Sequence, residues 1–377
     1  MKYQICKNCV MDTSDPKISF DARGICEYCN NFVTNIKPSW DKQRSEHSLL
    51  RLSAEIKKRA GNAEYDCIIG LSGGLDSSYA THVSVKKMGL KPLLVHVDAG
   101  WNTDQAVGNI EKLVEGLKLD LFTDVIEWDQ IKEMQTAFLR SGIPDQDLVQ
   151  DAAFFTGLYK FARKYSIKSV ITGSNYSTEC CREPEEWGGY LGIDKSLFKD
   201  IYRKFGQGGQ SKFPLIDIIK YKFVYQRLMG MKMYHPLNFI EFNKQSAENE
   251  LNTLYDWKPF KHKHHESRFT VFYEDFWLPN RFGFDKRRAH FSSLIMTGQL
   301  SRQEALVRLS SPELTEAVMD KEISYISDKL EIDHIELDHL MNLPKKTYAD
   351  YKNKRWLIML GAYLFRLFGL EKRYFRK

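Results

Sequence analysis

Ser72-Gly73-Gly74-Leu75-Asp76-Ser77-Ser78 follows directly on the apolar run Cys67-Ile68-Ile69-Gly70-Leu71. Together they read as a strand that breaks into an anion-binding loop. Gly73 and Gly74 let the chain turn tightly and bring backbone N–H groups close to an anion, while Ser72, Ser77 and Ser78 add hydroxyl donors at the start of the next helix. Asp76 stands where a metal ion bound to phosphate would need an oxygen ligand. Neither common Gly-rich signature is present. No Lys follows the glycines as in Gly-x-x-x-x-Gly-Lys, and there is no third Gly for Gly-x-Gly-x-x-Gly. The alternative is an ordinary strand-to-helix turn; the apolar strand before the loop and the helix after it favour a phosphate site.

Outward from this loop the pattern alternates. Strands are expected at 66–71, 92–97, 121–126 and 169–172, with helices at 77–88, 103–117 and 151–165. That alternation predicts a parallel sheet covered by helices. Ligands of an open α/β sheet bind beyond the carboxyl ends of its strands. The 72–78 loop, the strand end His96-Val97-Asp98-Ala99-Gly100 and the turn Gly173-Ser174-Asn175 should therefore converge on one nucleotide. A nucleotide is expected across them, with Gly173 beside it and the second strand end near its base and ribose. Asp98 is either a metal or ribose ligand or a helix-capping carboxylate.

Elsewhere a helix is expected over 45–60, an irregular loop over 177–215 holding Cys180 and Cys181, and helices from about 241. Ser301-Arg302-Gln303-Glu304 has the form of a capping box, and Ser311-Pro312 that of an N-cap with Pro at the first helical position. The run from Trp356 to Phe365 is too short to span a bilayer and reads as a buried C-terminal helix. The expected domains are 1–38, a zinc knuckle; 39–62, a connecting helix; 63–240, the nucleotide-binding core; and 241–377, a helical, basic and aromatic region for substrate and partners.

Cys6-x-x-Cys9 and Cys26-x-x-Cys29, separated by 16 residues, have the spacing of four thiolates around one tetrahedral zinc. Gly24 suits a tight knuckle before Cys26, and so short a segment with few apolar residues needs a metal to fold. Two disulfides are the alternative. With all four positions taken by protein, the zinc would be structural. Few basic residues lie in the knuckle, which argues against nucleic acid as a partner. The chain of 377 residues is 43% hydrophobic and 28% charged, with a formal charge of +6. This is a globular composition with no membrane-inserting segment, and the charge suits an anionic small substrate as well as RNA. The first residues lack a secretory signal, so a cytoplasmic location with reduced thiols is expected.

Residues 257–291 concentrate basic and aromatic side chains, including His262, His264, His265 and His290. A metal reading is weakened by the interleaved lysines. In Phe284-Asp285-Lys286-Arg287-Arg288-Ala289-His290-Phe291, helical spacing puts Lys286 and His290 on one face with Arg287 beside them, a surface able to grip a diphosphate or a carboxylate. A solvated basic face is the alternative.

The Ser-Gly-Gly-x-Asp-Ser loop resembles the pyrophosphate loop of the ATP pyrophosphatases, whose core is adenine nucleotide alpha hydrolase-like. Joined to the Cys-x-x-Cys-Val-Met opening, the Gly-x-Cys-x-x-Cys knuckle, and the stretch from His265-Glu266-Ser267-Arg268 to Arg288, it resembles the N-acetyl sugar amidotransferase family. That resemblance runs from residue 1 to about 295. It implies an α/β fold with a parallel-sheet ATP pyrophosphatase core, an N-terminal zinc knuckle and a C-terminal helical region. It implies conversion of an acetamido group on a nucleotide sugar, such as a UDP-linked diacetamido uronic acid, to an acetamidino group in bacterial O-antigen (lipopolysaccharide) biosynthesis. ATP, Mg2+ and structural zinc would be the cofactors, and a separate glutaminase and a cyclase-like ammonia-channel subunit the partners. Ser72, Gly73, Gly74, Ser77 and Ser78 would cradle pyrophosphate, Asp76 would hold magnesium, and Ser72, Asp76 and Lys286 would serve catalysis. Lys286, Arg287 and Arg288 would bind the substrate. A tRNA-modifying thiolase and a nonenzymatic zinc-ribbon adaptor are the rival readings; the first would need cysteines beside the loop beyond Cys67, Cys180 and Cys181.

Overall fold

In the computed structural model, which describes residues 2–189, 192–207 and 211–367, five short strands make one sheet. These are β1 (Cys67–Gly70), β2 (Pro92–Asp98), β3 (Leu121–Val125), β4 (Ser169–Ile171) and β5 (Lys232–Tyr234). Their order is β3-β2-β1-β4-β5, and every neighbouring pair is parallel. Ile68 lies opposite Leu93 and Val170, and Ile69 opposite Leu94 and Ile171. Because side chains alternate along a strand, this register sorts the apolar residues into two layers. Cys67, Ile69, Leu94 and Ile171 pack with the helices Glu46–Ala60, Leu75–Lys86, Asp104–Leu117 and Lys244–Tyr255. Ile68, Leu93, Val95, Val97 and Val170 pack on the other face against Leu148–Lys164 and the helical turn Tyr221–Leu228.

The expected α/β parallel sheet is thus present, and the order of its strands fixes where a ligand can sit. From β1 the chain steps outward to β2 and β3, then returns to the opposite side of β1 for β4 and β5. The loops leaving β1 and β4 therefore part in opposite directions, and the crevice opens at their carboxyl ends. Tyr255 and Trp257, from beyond residue 241, share the core of the first layer with residues of β1 and β2.

Three local expectations are corrected. The stretch 177–215 is not simply irregular, since Lys195–Phe205 is a helix capped by Asp194, whose carboxylate accepts from Ser196 and Leu197 N–H. Ser311-Pro312 does not start a helix; the next one begins at Glu316 after Thr315. The terminal helix Arg355–Leu367 forms, yet Trp356, Met359, Leu360 and Tyr363 on it are exposed. Trp128–Ser141 is a further helix whose Ile131, Met134 and Phe138 enter the distal core. The Ser301 cap does form, its hydroxyl accepting from Glu304 N–H at 3.1 Å.

Candidate active site

The loop after β1 is held in shape by its own hydroxyls. Ser72 N–H donates to Ser77 Oγ at 3.3 Å, Gly74 N–H donates to Ser72 Oγ at 3.3 Å, and the two hydroxyls lie 3.1 Å apart. These bonds are long, so an anion can replace them at little cost. Gly73 has φ +82°, and a Cβ there would meet the Ala106 carbonyl oxygen at 2.4 Å. At Gly74 a Cβ would fall 2.5 Å from Glu266 Oε1, so the Glu266 carboxylate rests against the loop there. Gly173, in the loop after β4, would place a Cβ 2.5 Å from the Asp76 backbone. It lets the β4 loop press against the Ser72–Ser78 loop.

Ser72, Gly74, Asp76 and Ser77 line a pocket, together with Lys244, Lys263, His264, Glu266 and His290. Ser78 lies behind the loop, fully buried, with the Trp257 indole N–H donating to its hydroxyl at 3.2 Å. Asp98 does not line this pocket. Its carboxylate accepts from Gly100 N–H at 2.7 Å and from Asn102 Nδ2 at 3.0 Å, shaping the turn after β2. It is not a helix cap either, since Thr103 caps the helix that follows.

Burial pushes the Asp76 carboxyl up to about 6, against the opposing pull of Lys263. Lys263 Nζ stands 3.9 Å from Asp76 Oδ2 and 2.8 Å from Glu179 Oε1. Burial disfavours its charge, but Glu179 and Asp76 together hold it above the ordinary lysine value. Lys244 is pushed down by burial, with Glu248 opposing. His290 is held well below the usual histidine value by burial and by Lys263 and Lys244, which keeps it neutral. Lys244, Lys263, Glu179 and Glu266 were not singled out as site residues from the sequence. Nothing local distinguishes them from the surrounding charges, and only the fold brings them to the loop.

The loop pocket adjoins a cavity of about 2150 Å3, and Thr178, Lys244, Lys263, His264 and His290 line both. Deeper in the cavity Lys286 Nζ bridges Glu183 at 3.1 Å and Glu274 at 3.0 Å and lies over the Tyr273 ring. Burial opposes its charge, and Glu183 and Glu274 hold it well above the ordinary value. Glu274 also pairs with His264 at 3.1 Å. Burial resists the charging of His264, but this carboxylate carries it to about 9. A continuous string of opposite charges thus joins the two compartments.

Arg287 lines the cavity, with its guanidinium paired to Asp285 at 2.8 Å and donating to the carbonyls of Arg308 and Ser311. Arg288 is turned elsewhere. It donates to the Val10 carbonyl at 2.9 Å and pairs with Asp12 at 3.1 Å, bracing the N-terminal knuckle.

In that knuckle the sulfurs of Cys6, Cys9, Cys26 and Cys29 all lie within 4.8 Å of one another and are buried. The Cys6–Cys29 and Cys9–Cys26 separations are 3.9 and 3.6 Å. Four thiolates about 2.3 Å from one zinc would stand about 3.8 Å apart, so the donor set fits that ion. Neither pair is at the bonding distance of a disulfide, about 2.05 Å. The N–H groups of Asn8, Cys9 and Cys26 point at Cys6 Sγ at 3.2–3.4 Å, as a thiolate would require. Arg302 donates to the carbonyls of Cys6 and Cys9, fastening the knuckle to the C-terminal helices. Among the described residues this is the only group of three or more potential ligands so close together.

Residues 266–364 match the family described as LPS biosynthesis protein WbpG-like, C-terminal domain. The match is to that C-terminal domain alone. It bears out the resemblance drawn from the sequence motifs, and it starts at Glu266, the residue whose carboxylate rests on Gly74. Glu274 and Lys286, within the matched stretch, line the cavity of about 2150 Å3. An uncharacterized protein of Methanocaldococcus jannaschii is 31% identical over 177 residues, which cover 45% of this chain and 58% of that one. The chain thus matches just over half the length of that relative. Among solved structures, an NMN synthetase from Francisella tularensis has a TM-score of 0.32 and 18% identity, covering 80% of this chain and 98% of that chain. An NH3-dependent NAD synthetase from Campylobacter jejuni has a TM-score of 0.33 and 15% identity, covering 72% and 99%. No helix among the described residues is long and apolar enough to cross a membrane.

Proposed function

We propose that the protein is an ATP-dependent amidotransferase that converts an acetamido group of a nucleotide-linked sugar, such as a UDP-diacetamido uronic acid, into an acetamidino group for lipopolysaccharide O-antigen. One observation carries this reading: the Ser72–Ser78 loop and the stretch that matches the WbpG-like domain line adjoining compartments that share Lys244, Lys263, His264 and His290. A nucleotide held at the first can then meet a sugar held in the second.

The chemistry follows from the inertness of an amide carbonyl. Its oxygen attacks the α-phosphorus of ATP, the bond to the β-phosphate bridging oxygen breaks, and pyrophosphate leaves. Ammonia then adds to the activated carbon and AMP departs with the former amide oxygen, leaving an amidine. No protein nucleophile is required, so the protein's work is positioning and neutralising charge. Ser72, Gly73, Gly74 and Ser77 offer N–H and O–H donors to the departing pyrophosphate, with Lys263 and Lys244 as nearby cations. Asp76 is the carboxylate that would hold Mg2+, an ion bound through one or two carboxylates plus substrate phosphates, which supplies countercharge to the leaving group. Lys286, with Arg287 beside it, is the cation for the sugar's carboxylate or diphosphate. Ammonia would come from a separate glutaminase through a cyclase-like partner. All three cysteines outside the knuckle are buried, which weighs against a thiolase needing a reactive thiol at the loop.

The test is pyrophosphate release by zinc-loaded protein given ATP, Mg2+, an ammonium salt and candidate UDP-sugars, with bulk tRNA as a parallel arm. Sugar-dependent turnover that is largely abolished in Asp76→Asn, with the fold retained, is expected. RNA-dependent turnover, or none with any acetamido sugar, would overturn the reading.

A further inference from the structure

Glu266 lines the loop pocket but has no part in the reaction proposed above. Its backbone is fixed: the carbonyl accepts from Thr103 N–H at 3.0 Å, and the neighbouring Ser267 bridges to Asn102 and donates its hydroxyl to Gln150 Oε1 at 3.0 Å. The carboxylate is thereby held against the Ser72–Ser78 loop, with Oε1 2.5 Å from the place a Gly74 Cβ would take. Burial raises the Asp76 carboxyl, and Glu179 and Glu266 add to that push, so Asp76 and Glu266 feel each other's charge. The cations around them are already answered: Lys263 by Glu179 at 2.8 Å and Asp76 at 3.9 Å, Lys244 by Glu248 at 3.8 Å, and His264 by Glu274 at 3.1 Å. Among the described residues no hydrogen bond or ion pair reaches the Glu266 side chain, which leaves its charge unmatched.

We propose that Glu266 is a selectivity residue that excludes bare pyrophosphate and bare ATP from the Ser72–Ser78 loop and admits them as magnesium complexes, standing beside Asp76 as a second carboxylate toward the ion. The loop offers an incoming polyanion N–H and O–H donors, yet an unmatched carboxylate lies against the same loop. In a partly buried pocket that repulsion is screened weakly by water. A divalent cation reverses its sign, because magnesium takes carboxylate and phosphate oxygens together. The proposal rests on the reading of this loop as a pyrophosphate site.

Equilibrium dialysis of the zinc-loaded full chain against labelled pyrophosphate tests it, with magnesium in excess or in buffer freed of magnesium beforehand. The unaltered chain is expected to bind about 30-fold more weakly without magnesium. Glu266→Gln should bind bare pyrophosphate about tenfold more tightly than the unaltered chain does, so that magnesium then matters by about threefold. Glu266→Asp keeps the charge and should keep the full magnesium dependence. Zinc content and circular dichroism report the fold, and should Glu266→Gln fail them, Glu266→Ala removes the same charge in its place. A magnesium dependence unchanged in the neutral variant, or equal binding by the unaltered chain with and without magnesium, overturns the proposal while leaving the loop a pyrophosphate site. No binding of magnesium pyrophosphate by the unaltered chain overturns both the proposal and the reaction on which it rests.

Discussion

Lys263→Met removes the cation that stands between the phosphate loop and its carboxylates. Its Nζ is 3.9 Å from Asp76 Oδ2 and 2.8 Å from Glu179 Oε1. At 3.9 Å an effective dielectric of about 20 gives an attraction of about 4 kcal/mol. A fifth of the Lys263 side chain is exposed, and solvent screening reduces the working figure to about 2 kcal/mol. A charge-assisted hydrogen bond from the same ammonium to a bound phosphate falls in the same range, about 1.5–3 kcal/mol. The variant should therefore bind magnesium pyrophosphate about 30-fold more weakly. Isothermal titration calorimetry reads this directly, with Lys263→Arg expected to recover most of the affinity because it keeps the charge. The direction is not obvious from charge counting alone, since Lys263 must leave Glu179 in part to serve the ligand. A Lys263→Met protein with normal zinc content and melting temperature that binds pyrophosphate within about threefold of the unaltered chain would refute the assignment.

Other consequences can be checked independently. Elemental analysis should find one zinc per chain, and its removal by a chelator should lower the melting temperature by freeing the knuckle from Arg288 and Arg302; a stable metal-free chain would count against the site. His264, raised to about 9 beside Glu274, contributes stability that is fully present below its unfolded value of about 6.5 and is lost as pH rises through about 9. The melting-temperature difference between the unaltered chain and His264→Gln should accordingly shrink from pH 6 to pH 9.5, and a constant difference would exclude the pair. Gly173→Ala puts a methyl group 2.5 Å from the Asp76 backbone, so it should force the β4 loop off the phosphate loop and destabilise the protein by about 2 kcal/mol or more. Chemical denaturation showing no change would mean that the two loops are not in that contact.

The sheet, the loop and the knuckle were legible in the sequence because each depends on short-range pattern. Alternating apolar runs mark β1 to β4, paired glycines and serines mark the Ser72–Ser78 loop, and two C-x-x-C pairs mark the four-cysteine cluster. Where the pattern was short or interrupted, reading failed. β5 has three residues, too few for a period to show. The helix Lys195–Phe205 hides among glycines, although Asp194 is a legible cap. The Trp356 to Phe365 run is apolar enough to look buried, and apolarity alone cannot say whether the face is covered by this chain.

The site divides along the same line. Sequence alone determined that a Gly- and Ser-rich loop follows the first strand and that four cysteines stand at metal-ligand spacing, since residue type at fixed spacing is sufficient for both. Only the tertiary structure decided which charges meet that loop. It brought Lys263 and Glu266 across roughly 190 residues of chain to Asp76 and Gly74, drew Arg288 away to the knuckle, and buried Ser78 behind Trp257. Electrostatic interactions depend on distance through space and on burial, and neither quantity is written in the order of residues until packing fixes them.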